Sequence, residues 1–224
     1  INNIEISDVP QTLFYNTRLF HTSGITLGLG GKAQDFAIHC IKEFKKQGTL
    51  ISFDVNYRAN LWTGAEARKC IEAILPYVDI FFCSEDTARL TFGKKGTINE
   101  IQKSFCEEYP ISVVASTERT VITPKKHNFT SIIYSAKNDT YYRENPYNNI
   151  DVVDRIGSGD AYVSGALYGY LKHGDCQKAL EYGNAMAAIK HSVIGDMVFT
   201  DLEEIDSIIK QHKNTSGYQS EMNR

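Results

Sequence analysis

Residues 154–167 read DRIGSGDAYVSGAL, in which a glycine-rich loop leads directly into a helix of small residues. Gly157 and Gly159 allow the backbone to direct successive N–H groups toward one point. The helix that follows adds N–H groups that have no partner inside the helix, together with the positive end of its dipole. The stretch therefore predicts an anion site on the backbone of residues 157–160.

Asp160 brings a carboxylate to the start of the same helix. A carboxylate beside a bound phosphate is electrostatically unfavourable unless it takes part in the chemistry. The chemistry that suits it is accepting a proton from a hydroxyl that attacks phosphorus. A carboxylate in this position can also serve only as a helix cap. The spacing alone leaves both interpretations, general base and cap, open.

The chain on either side alternates short apolar runs with amphipathic helices. Strands are predicted at 19–23, 50–55, 79–83 and 111–116, and helices at 33–46, 65–75, 98–108, 159–172, 176–191 and 202–211. Three segments between them are rich in β-formers and predict hairpin strands at one side of the sheet, namely 120–123, 129–136 and 140–143. This order predicts an α/β fold, a three-layer α/β/α sandwich with a mostly parallel sheet and a β-rich edge.

Composition narrows the class of protein. The 224 residues carry 24 Lys and Arg against 27 Asp and Glu, a net charge of −3, which argues against a nucleic-acid partner and a polybasic membrane anchor. The five cysteines are widely spaced and form no C-x-x-C pair, so neither a disulfide framework nor a zinc ribbon is expected. We expect a cytoplasmic protein without a membrane partner, and homo-oligomerisation is left open.

A second glycine stretch favours a different function. Residues 28–33, GLGGKA, fit the G-x-G-x-x-A pattern of dinucleotide-binding folds, and Asp54 ends the following strand. That pattern needs its glycines in the tight turn directly after a strand. Here several residues separate the predicted strand end at Ser23 from Gly28. A dinucleotide-dependent oxidoreductase is therefore kept only as an alternative.

Three stretches together resemble a known family. DRIGSGDAYVSGAL resembles the second signature of the ribokinase-like (PfkB) sugar kinases, and its Asp-Arg-Ile-Gly start resembles the 2-keto-3-deoxygluconate kinase branch. Residues 53–62, FDVNYRANLW, are similar to the D-x-N-x-R-x-x-L-W element of that branch. Residues 187–196, AAIKHSVIGD, look like its nucleotide-side C-terminal segment. The resemblance extends over most of the chain.

The resemblance implies a ribokinase-like fold and an ATP-dependent phosphotransferase that acts on a hydroxyl of a small sugar acid, most of all 2-keto-3-deoxygluconate. It implies that Asp160 is the general base and that the backbone of Gly157, Ser158 and Gly159 stabilises the transferring phosphoryl group. It also implies Mg²⁺ bridging the phosphates, mostly through water. No metal ligand is assigned.

The same resemblance suggests which residues lie near the nucleotide. These are Arg155, as an additional cation, Ser116 and Asn184. For Asn184 a buried structural role is an equal alternative.

Arg58 is the basis for an acidic substrate. In an extended strand alternate residues share a face, so Asp54, Asn56 and Arg58 are expected to point together at the carboxyl end of a parallel strand. Arginine binds a carboxylate through two parallel hydrogen bonds, and a sugar acid offers a carboxylate. We therefore predict that these three residues bind the substrate. The alternative is a surface arginine paired with a neighbouring aspartate.

The sequence also departs from the family pattern. Ser84-Glu85-Asp86-Thr87 stands where the family carries Asn-x-x-Glu, whose glutamate helps organise magnesium, and Ser116-Thr117-Glu118-Arg119 stands where a Lys-x-Gly turn is usual. The chain starts at Ile1, and nothing before it supplies the family's N-terminal β-lid. We expect a kinase core over residues 1–212 without that lid and a frayed polar tail over 213–224. A catalytically silent nucleotide-binding fragment is the non-enzyme alternative.

Overall fold

The computed structural model describes residues 3–215. The α-helices in this range are α1 (Gln11–Tyr15), α2 (Gly24–Gly28), α3 (Gly31–Lys46), α4 (Gly64–Glu72), α5 (Glu85–Phe92), α6 (Ile98–Glu108), α7 (Ser158–His173), α8 (Cys176–His191) and α9 (Leu202–Thr215). The strands are β1 (Leu19–Ser23), β2 (Leu50–Asp54), β3 (Ile80–Phe82), β4 (Val113–Thr123), β5 (Lys126–Ser135), β6 (Thr140–Arg143) and β7 (Tyr147–Asp151). None of the described helices has both the length and the apolar character that crossing a membrane requires.

The predicted α/β fold with a mostly parallel sheet is confirmed. β1 pairs with β2, β2 with β3, and β3 with β4, all in parallel. The strand order is β1-β2-β3-β4-β5-β6, and β7 pairs with β5 in antiparallel orientation. Helices follow β1, β2 and β3, as the alternating apolar pattern indicates.

Two predictions about elements are corrected. The segments 111–116 and 120–123 were expected to be separate strands, but one continuous strand, β4, contains most of both. No strand is predicted between residues 143 and 159, yet Tyr147–Asp151 forms β7. Its asparagine-rich sequence has low strand propensity, so its pairing with β5, rather than local preference, makes it a strand.

The chain divides into two compact units. The first comprises the residues up to Ser116 together with Tyr134–Tyr141, and the second comprises Thr117–Ile133 together with the residues from Tyr142 onward. The predicted boundary at residue 212 lies inside α9, which continues to Thr215. The rest of the predicted polar tail, residues 216–224, lies outside the described residues.

The first unit has an aromatic core between its strands and helices. Phe81 of β3 is fully buried, and its ring centroid lies 4.9 Å from that of Phe105 in α6 and 6.2 Å from that of Phe92 in α5. Gly24 begins α2 so close to the end of β2 that an added Cβ would lie 2.0 Å from the carbonyl oxygen of Val55. This contact holds the backbone just beyond β2 in place.

The second unit is built on the close packing of α7 against α8. An added Cβ at Gly165 would lie 2.4 Å from the carbonyl oxygen of Tyr182, and one at Gly169 would lie 2.5 Å from that of Lys178. The small residues of α7 therefore allow the two helix backbones to approach each other. This packing supports the start of α7, where the predicted anion site lies.

Candidate active site

The loop before α7 needs glycine at one position for two separate reasons. Gly157 precedes the first helical residue and has φ 79°, in the left-handed region. A Cβ on Gly157 would also lie 2.0 Å from the carbonyl oxygen of Asp196. Any other residue would strain the backbone and collide with the 193–196 segment, so the loop's path depends on this glycine.

Asp154 fixes the other end of the loop. Its Oδ1 accepts the N–H of Ile156 at 2.9 Å, and its Oδ2 accepts the N–H of Gly195 at 3.0 Å. Both hydrogen bonds stabilise the carboxylate, so the pKa of Asp154 lies below its usual value. The charged side chain therefore joins the loop to the same 193–196 segment that Gly157 touches.

The start of α7 is open to solvent. Gly159 and Asp160 are exposed, and a Cβ added to Gly159 would meet no atom within 4 Å. Asp160 lies in the first turn of this 16-residue helix, and α7 has no side-chain hydrogen bond at its N-cap. The backbone can therefore receive an anion here, with the Asp160 carboxylate beside it. The Ser158 N–H donates to the carbonyl oxygen of Arg155 at 3.2 Å, so that N–H helps to form the turn.

Arg155 of this loop lies near a second arginine, Arg119. Burial lowers the pKa of Arg119, and the nearby positive charge of Arg155 lowers it further. Burial also lowers the pKa of His127, and the charges of Arg119 and Arg155 act in the same direction. Arg119 was noted in the sequence only as a departure from the family pattern, because no local motif shows that it and Arg155 lie near each other.

Exposed apolar side chains accompany the loop. Ile156 belongs to it and is 64% exposed, Ile194 of the 193–196 segment is 78% exposed, and Met197, which follows that segment, is 63% exposed. Large exposed apolar side chains next to a polar loop are typical of interaction or ligand sites. The sequence did not identify these three residues individually.

The substrate prediction for residues 54–58 rested on an extended strand, and this geometry is wrong. β2 ends at Asp54, and Asn56 has φ 35°, in the left-handed region. The reason is local, because Oδ1 of Asp54 accepts the Asn56 N–H at 3.1 Å and turns the chain. The strict alternation that was to align Asp54, Asn56 and Arg58 therefore stops at Asp54.

Arg58 is nevertheless available to a ligand. Its side chain is exposed, and its Nη1 donates to the carbonyl oxygen of Tyr57 at 3.0 Å. Within residues 3–215 no carboxylate lies within 4.0 Å of its guanidinium, in contrast to Arg68 and Arg89, which pair with Glu72 and Glu85. The alternative of a surface arginine paired with an aspartate therefore finds no support.

Ser116 and Asn184, predicted near the nucleotide, are both buried. Ser116 Oγ donates to the carbonyl oxygen of Cys83 at 2.7 Å and accepts from Gln102 Nε2 at 3.1 Å. Asn184 Nδ2 donates to Glu144 Oε1 at 2.6 Å. These partners favour the structural alternative for Asn184, and the nucleotide contacts of both residues stay predictions.

The predicted site residues lie on both units. Asp54, Asn56, Arg58 and Ser116 belong to the first unit, and Arg155, Gly157, Ser158, Gly159, Asp160 and Asn184 belong to the second. In the second unit Arg155 and the 157–160 backbone are adjacent along the chain, and their joint role as a site stays a prediction. In the first unit Asp54 and Asn56 share a turn, with Arg58 just beyond it.

The dinucleotide alternative fails on geometry. Helix α2 lies between β1 and the glycines, and Gly30 and Gly31, with φ 68° and 50°, form the turn between α2 and α3. A Cβ on Gly28 would lie 3.2 Å from side-chain atoms of Leu61 and Trp62, so this glycine serves packing. The glycines do not follow a strand directly, as the dinucleotide pattern requires.

One carboxylate near the family's magnesium position, that of Glu85, is already engaged. Ser84 caps α5 by accepting the Thr87 N–H at 3.2 Å, and Glu85 pairs with Arg89. Among the described residues, no three His, Cys, Asp or Glu side chains are grouped so that they could hold a metal ion. Within residues 3–215, protein ligands alone therefore form no metal site of this kind.

The chain is similar in sequence to known carbohydrate kinases. The sequence profile of the pfkB family carbohydrate kinases matches residues 4–201. The 2-dehydro-3-deoxygalactonokinase of Haloferax volcanii is 28% identical over 191 residues, which are 85% of this chain and 57% of that protein. The ATP-dependent 6-phosphofructokinase of Thermoanaerobacterium thermosaccharolyticum is 32% identical over 207 residues, which are 92% of this chain and 59% of that protein.

A solved structure agrees with the fold. The crystal structure of 2-dehydro-3-deoxygluconokinase from Thermotoga maritima matches with a TM-score of 0.87 at 28% identity, over 94% of this chain and 65% of that one. The predicted ribokinase-like architecture is thereby confirmed. The chain spans less than two thirds of the length of each of these three proteins.

Proposed function

The chain belongs to the pfkB family of carbohydrate kinases, and we propose that it transfers the γ-phosphoryl group of ATP to a hydroxyl of a small sugar acid, with 2-keto-3-deoxygluconate as the first candidate. The observation that carries the proposal is the open N-terminus of α7, where Gly157 makes the turn and Asp160 is exposed beside it. Backbone N–H groups next to an exposed carboxylate suit phosphoryl transfer to a hydroxyl.

The reaction assigns one role to each part of this loop. Asp160 accepts the proton of the substrate hydroxyl as its oxygen attacks the γ-phosphorus. The bond between that phosphorus and the oxygen bridging to the β-phosphate breaks, and ADP leaves with its electron pair. The helix dipole and the N–H groups of Gly157, Gly159 and Asp160 stabilise the charge on the transferring group, and Arg155 adds a cation.

ATP as the phosphoryl donor is supported by the surroundings of the loop. The anion site fits the phosphates, and the exposed side chains of Ile156, Ile194 and Met197 offer an apolar surface for the base. Adenine is flat and largely apolar, so it would cover such a surface while the phosphates reach α7. The phosphates would then meet the positive charges of Arg119 and Arg155.

A sugar acid as the acceptor is supported by Arg58. This exposed guanidinium has no carboxylate partner in the described part of the chain, so it can bind one from a ligand. Two of the similar proteins are named for 2-dehydro-3-deoxy sugar acids. A third is named for 6-phosphofructose, whose phosphate is another anion that arginine binds.

Magnesium is proposed only as part of the nucleotide substrate. The described residues form no protein-only metal site, so Mg²⁺ would be held by the ATP phosphates and water. When bound, it would neutralise phosphate charge, and no step above is assigned to it.

The proposal is tested by measuring ADP release from the purified 224-residue chain with a coupled assay. The acceptors are 2-keto-3-deoxygluconate, 2-keto-3-deoxygalactonate, fructose 6-phosphate and fructose. We expect a keto-deoxy sugar acid to give the highest kcat/KM and fructose to give the lowest.

One result would contradict the proposed acceptor, and another would contradict the kinase activity itself. A preference for fructose 6-phosphate would retain the kinase and replace the acceptor. No turnover with any acceptor, together with ATP binding in calorimetry, would favour the silent nucleotide-binding fragment.

The cysteines support a proposal for the cellular location of the chain. All five cysteines are free thiols, which is typical of a reducing compartment, so a cytoplasmic location is proposed. A homo-oligomer stays a proposal that sedimentation velocity would test directly.

A further inference from the structure

Lys190 is a buried cation directly beneath the loop that precedes α7. It lies near the end of α8 and has no exposed surface. Its Nζ donates to the carbonyl oxygen of Val193 at 2.7 Å and to that of Asp154 at 3.3 Å. The first of these carbonyls belongs to the segment that contacts Gly157, and the second begins the loop itself.

The charge of Lys190 is not neutralised by a direct ion pair. Within the described residues no carboxylate oxygen lies within 4.0 Å of its ammonium, whereas Lys178, on the same helix, pairs with Glu181 at 3.0 Å. The positive charge of Lys190 contributes to lowering the pKa of the Asp154 carboxyl. The two oxygens of that carboxylate accept hydrogen bonds from the N–H groups of Ile156 and Gly195.

Burying a charge without a close counter-charge costs folding free energy. A protein therefore retains such a charge where another interaction offsets that cost. Two neutral carbonyls could be held together by a neutral donor such as an amide. A cation in this place adds net positive charge below an anion site that also has Arg119 and Arg155 beside it.

We propose that Lys190 is a positioning residue for phosphoryl transfer, whose ammonium shapes the loop before α7 and whose missing counter-charge is supplied by the phosphates of the bound nucleotide. The inference rests on the proposed function, because it assumes that the anion at this loop is part of ATP. This role differs from a purely structural one in one respect. Removing the Lys190 ammonium must weaken the binding of a charged ligand more than the binding of an uncharged one.

The test uses the 224-residue chain and compares ligands that differ only in phosphate. The variants are Lys190→Met, which keeps most of the volume and removes the charge, and Lys94→Met as a control. Lys94 is also largely buried but lies in the first unit and pairs with Glu108. Calorimetry gives the dissociation constants of ATP and adenosine, and thermal unfolding without ligand shows whether each variant folds.

We expect Lys190→Met to weaken ATP binding by about tenfold or more, because the Coulomb attraction is lost in a medium of low effective dielectric constant. Adenosine binding should change by less than about twofold, and Lys94→Met should change neither. An equal loss for ATP and adenosine, or no loss for either, would overturn the proposal.

A second variant covers the case in which Lys190→Met does not fold. Lys190→Ala leaves a space that methylammonium can enter, so adding methylammonium chloride should restore ATP affinity while sodium chloride at equal ionic strength should not. Equal effects of the two salts would refute the role of the ammonium. Absence of ATP binding by the unsubstituted chain would instead refute the proposed function itself, and with it this inference.

Discussion

Asp160 tests the proposed chemistry at the scale of a single residue. Replacing it by asparagine keeps the size and removes the proton acceptor. We expect Asp160→Asn to bind ATP normally but to lose about 10²–10⁴ in kcat, the usual contribution of a general base. Coupled ADP release measures the rate, and calorimetry measures ATP binding.

The matched control is Glu203→Gln, which removes another exposed carboxylate from the first turn of a helix, α9. It should leave the rate unchanged. If Asp160→Asn stayed within threefold of the natural chain, Asp160 would be a helix cap and not the base.

Replacing Arg58 tests whether the chain binds the carboxylate of an acidic acceptor. Its loss removes a charged hydrogen bond worth about 1.5–3 kcal/mol, so Arg58→Ala should raise KM for 2-keto-3-deoxygluconate roughly 10- to 150-fold with little change for ATP. Arg68→Ala, which removes a surface arginine that pairs with Glu72, is the control. An unchanged KM for the acid in Arg58→Ala would show that the carboxylate binds elsewhere.

The Glu144 carboxyl should make the free energy of unfolding depend on pH. Burial raises the pKa of its carboxyl to about 7, even though the Asn184 amide and the charge of Lys213 favour the ionised form. Its unfolded value is near 4.5, so between these pH values the folded chain binds more protons than the unfolded chain. The contribution of Glu144 to folding is therefore fully present at low pH and is lost as pH rises toward 7.

We expect the unfolding free energy to fall by roughly 1–3 kcal/mol between pH 5 and pH 8 on account of this one group. Glu144→Gln, which mimics the protonated form, should show a smaller fall. Denaturant unfolding at the two pH values measures this difference, and an identical pH dependence in both proteins would show that the Glu144 carboxyl ionises normally in the folded chain.

At the scale of elements, the contact between α7 and α8 decides how the second unit packs. A glycine inside a helix usually lowers stability relative to alanine. Gly165 is an exception, because an added Cβ would lie 2.4 Å from the Tyr182 carbonyl oxygen and would force the helices apart. The fold therefore depends on this residue through its neighbour and not through helix propensity.

We expect Gly165→Ala to lower the free energy of unfolding by roughly 1–3 kcal/mol, as overpacking does. Gly64→Ala is the control, because Gly64 begins α4 and an added Cβ there would meet no atom within 4 Å. Denaturant unfolding measures both, and an equal or higher stability of Gly165→Ala would show that the helices can adjust.

At the scale of the whole molecule, the five cysteines show whether the chain is reduced or cross-linked by disulfides. All are free thiols, and Cys40, Cys83 and Cys176 are buried. Burial raises the pKa of Cys40 to about 11, so little reactive thiolate is present at neutral pH.

We expect all five thiols to react with Ellman's reagent in denaturant without a reductant, and the three buried ones to react slowly in the native chain. A reductant should not alter the unfolding temperature. A count below five in non-reducing denaturant would reveal a disulfide.

The sequence alone determined the features that depend on neighbours along the chain. The apolar periodicity predicted β1, α6, β6 and α8 with the bounds that the structure shows. The glycine loop at Gly157 and the position of Asp160 at a helix start were also predicted, because loop and helix N-terminus are consecutive in the chain. Anion binding there stays a prediction. Local hydrogen bonding and helix geometry act within a few residues, so a local pattern carries this information.

Only the tertiary structure decided the features that depend on distant residues. Gly157 must be glycine partly because Asp196 contacts it, and Lys190 becomes a buried cation only because its ammonium meets the carbonyls of Asp154 and Val193. Likewise β7 exists through its pairing with β5. Burial and charge environment are sums over residues brought together by folding, so no local pattern predicts them.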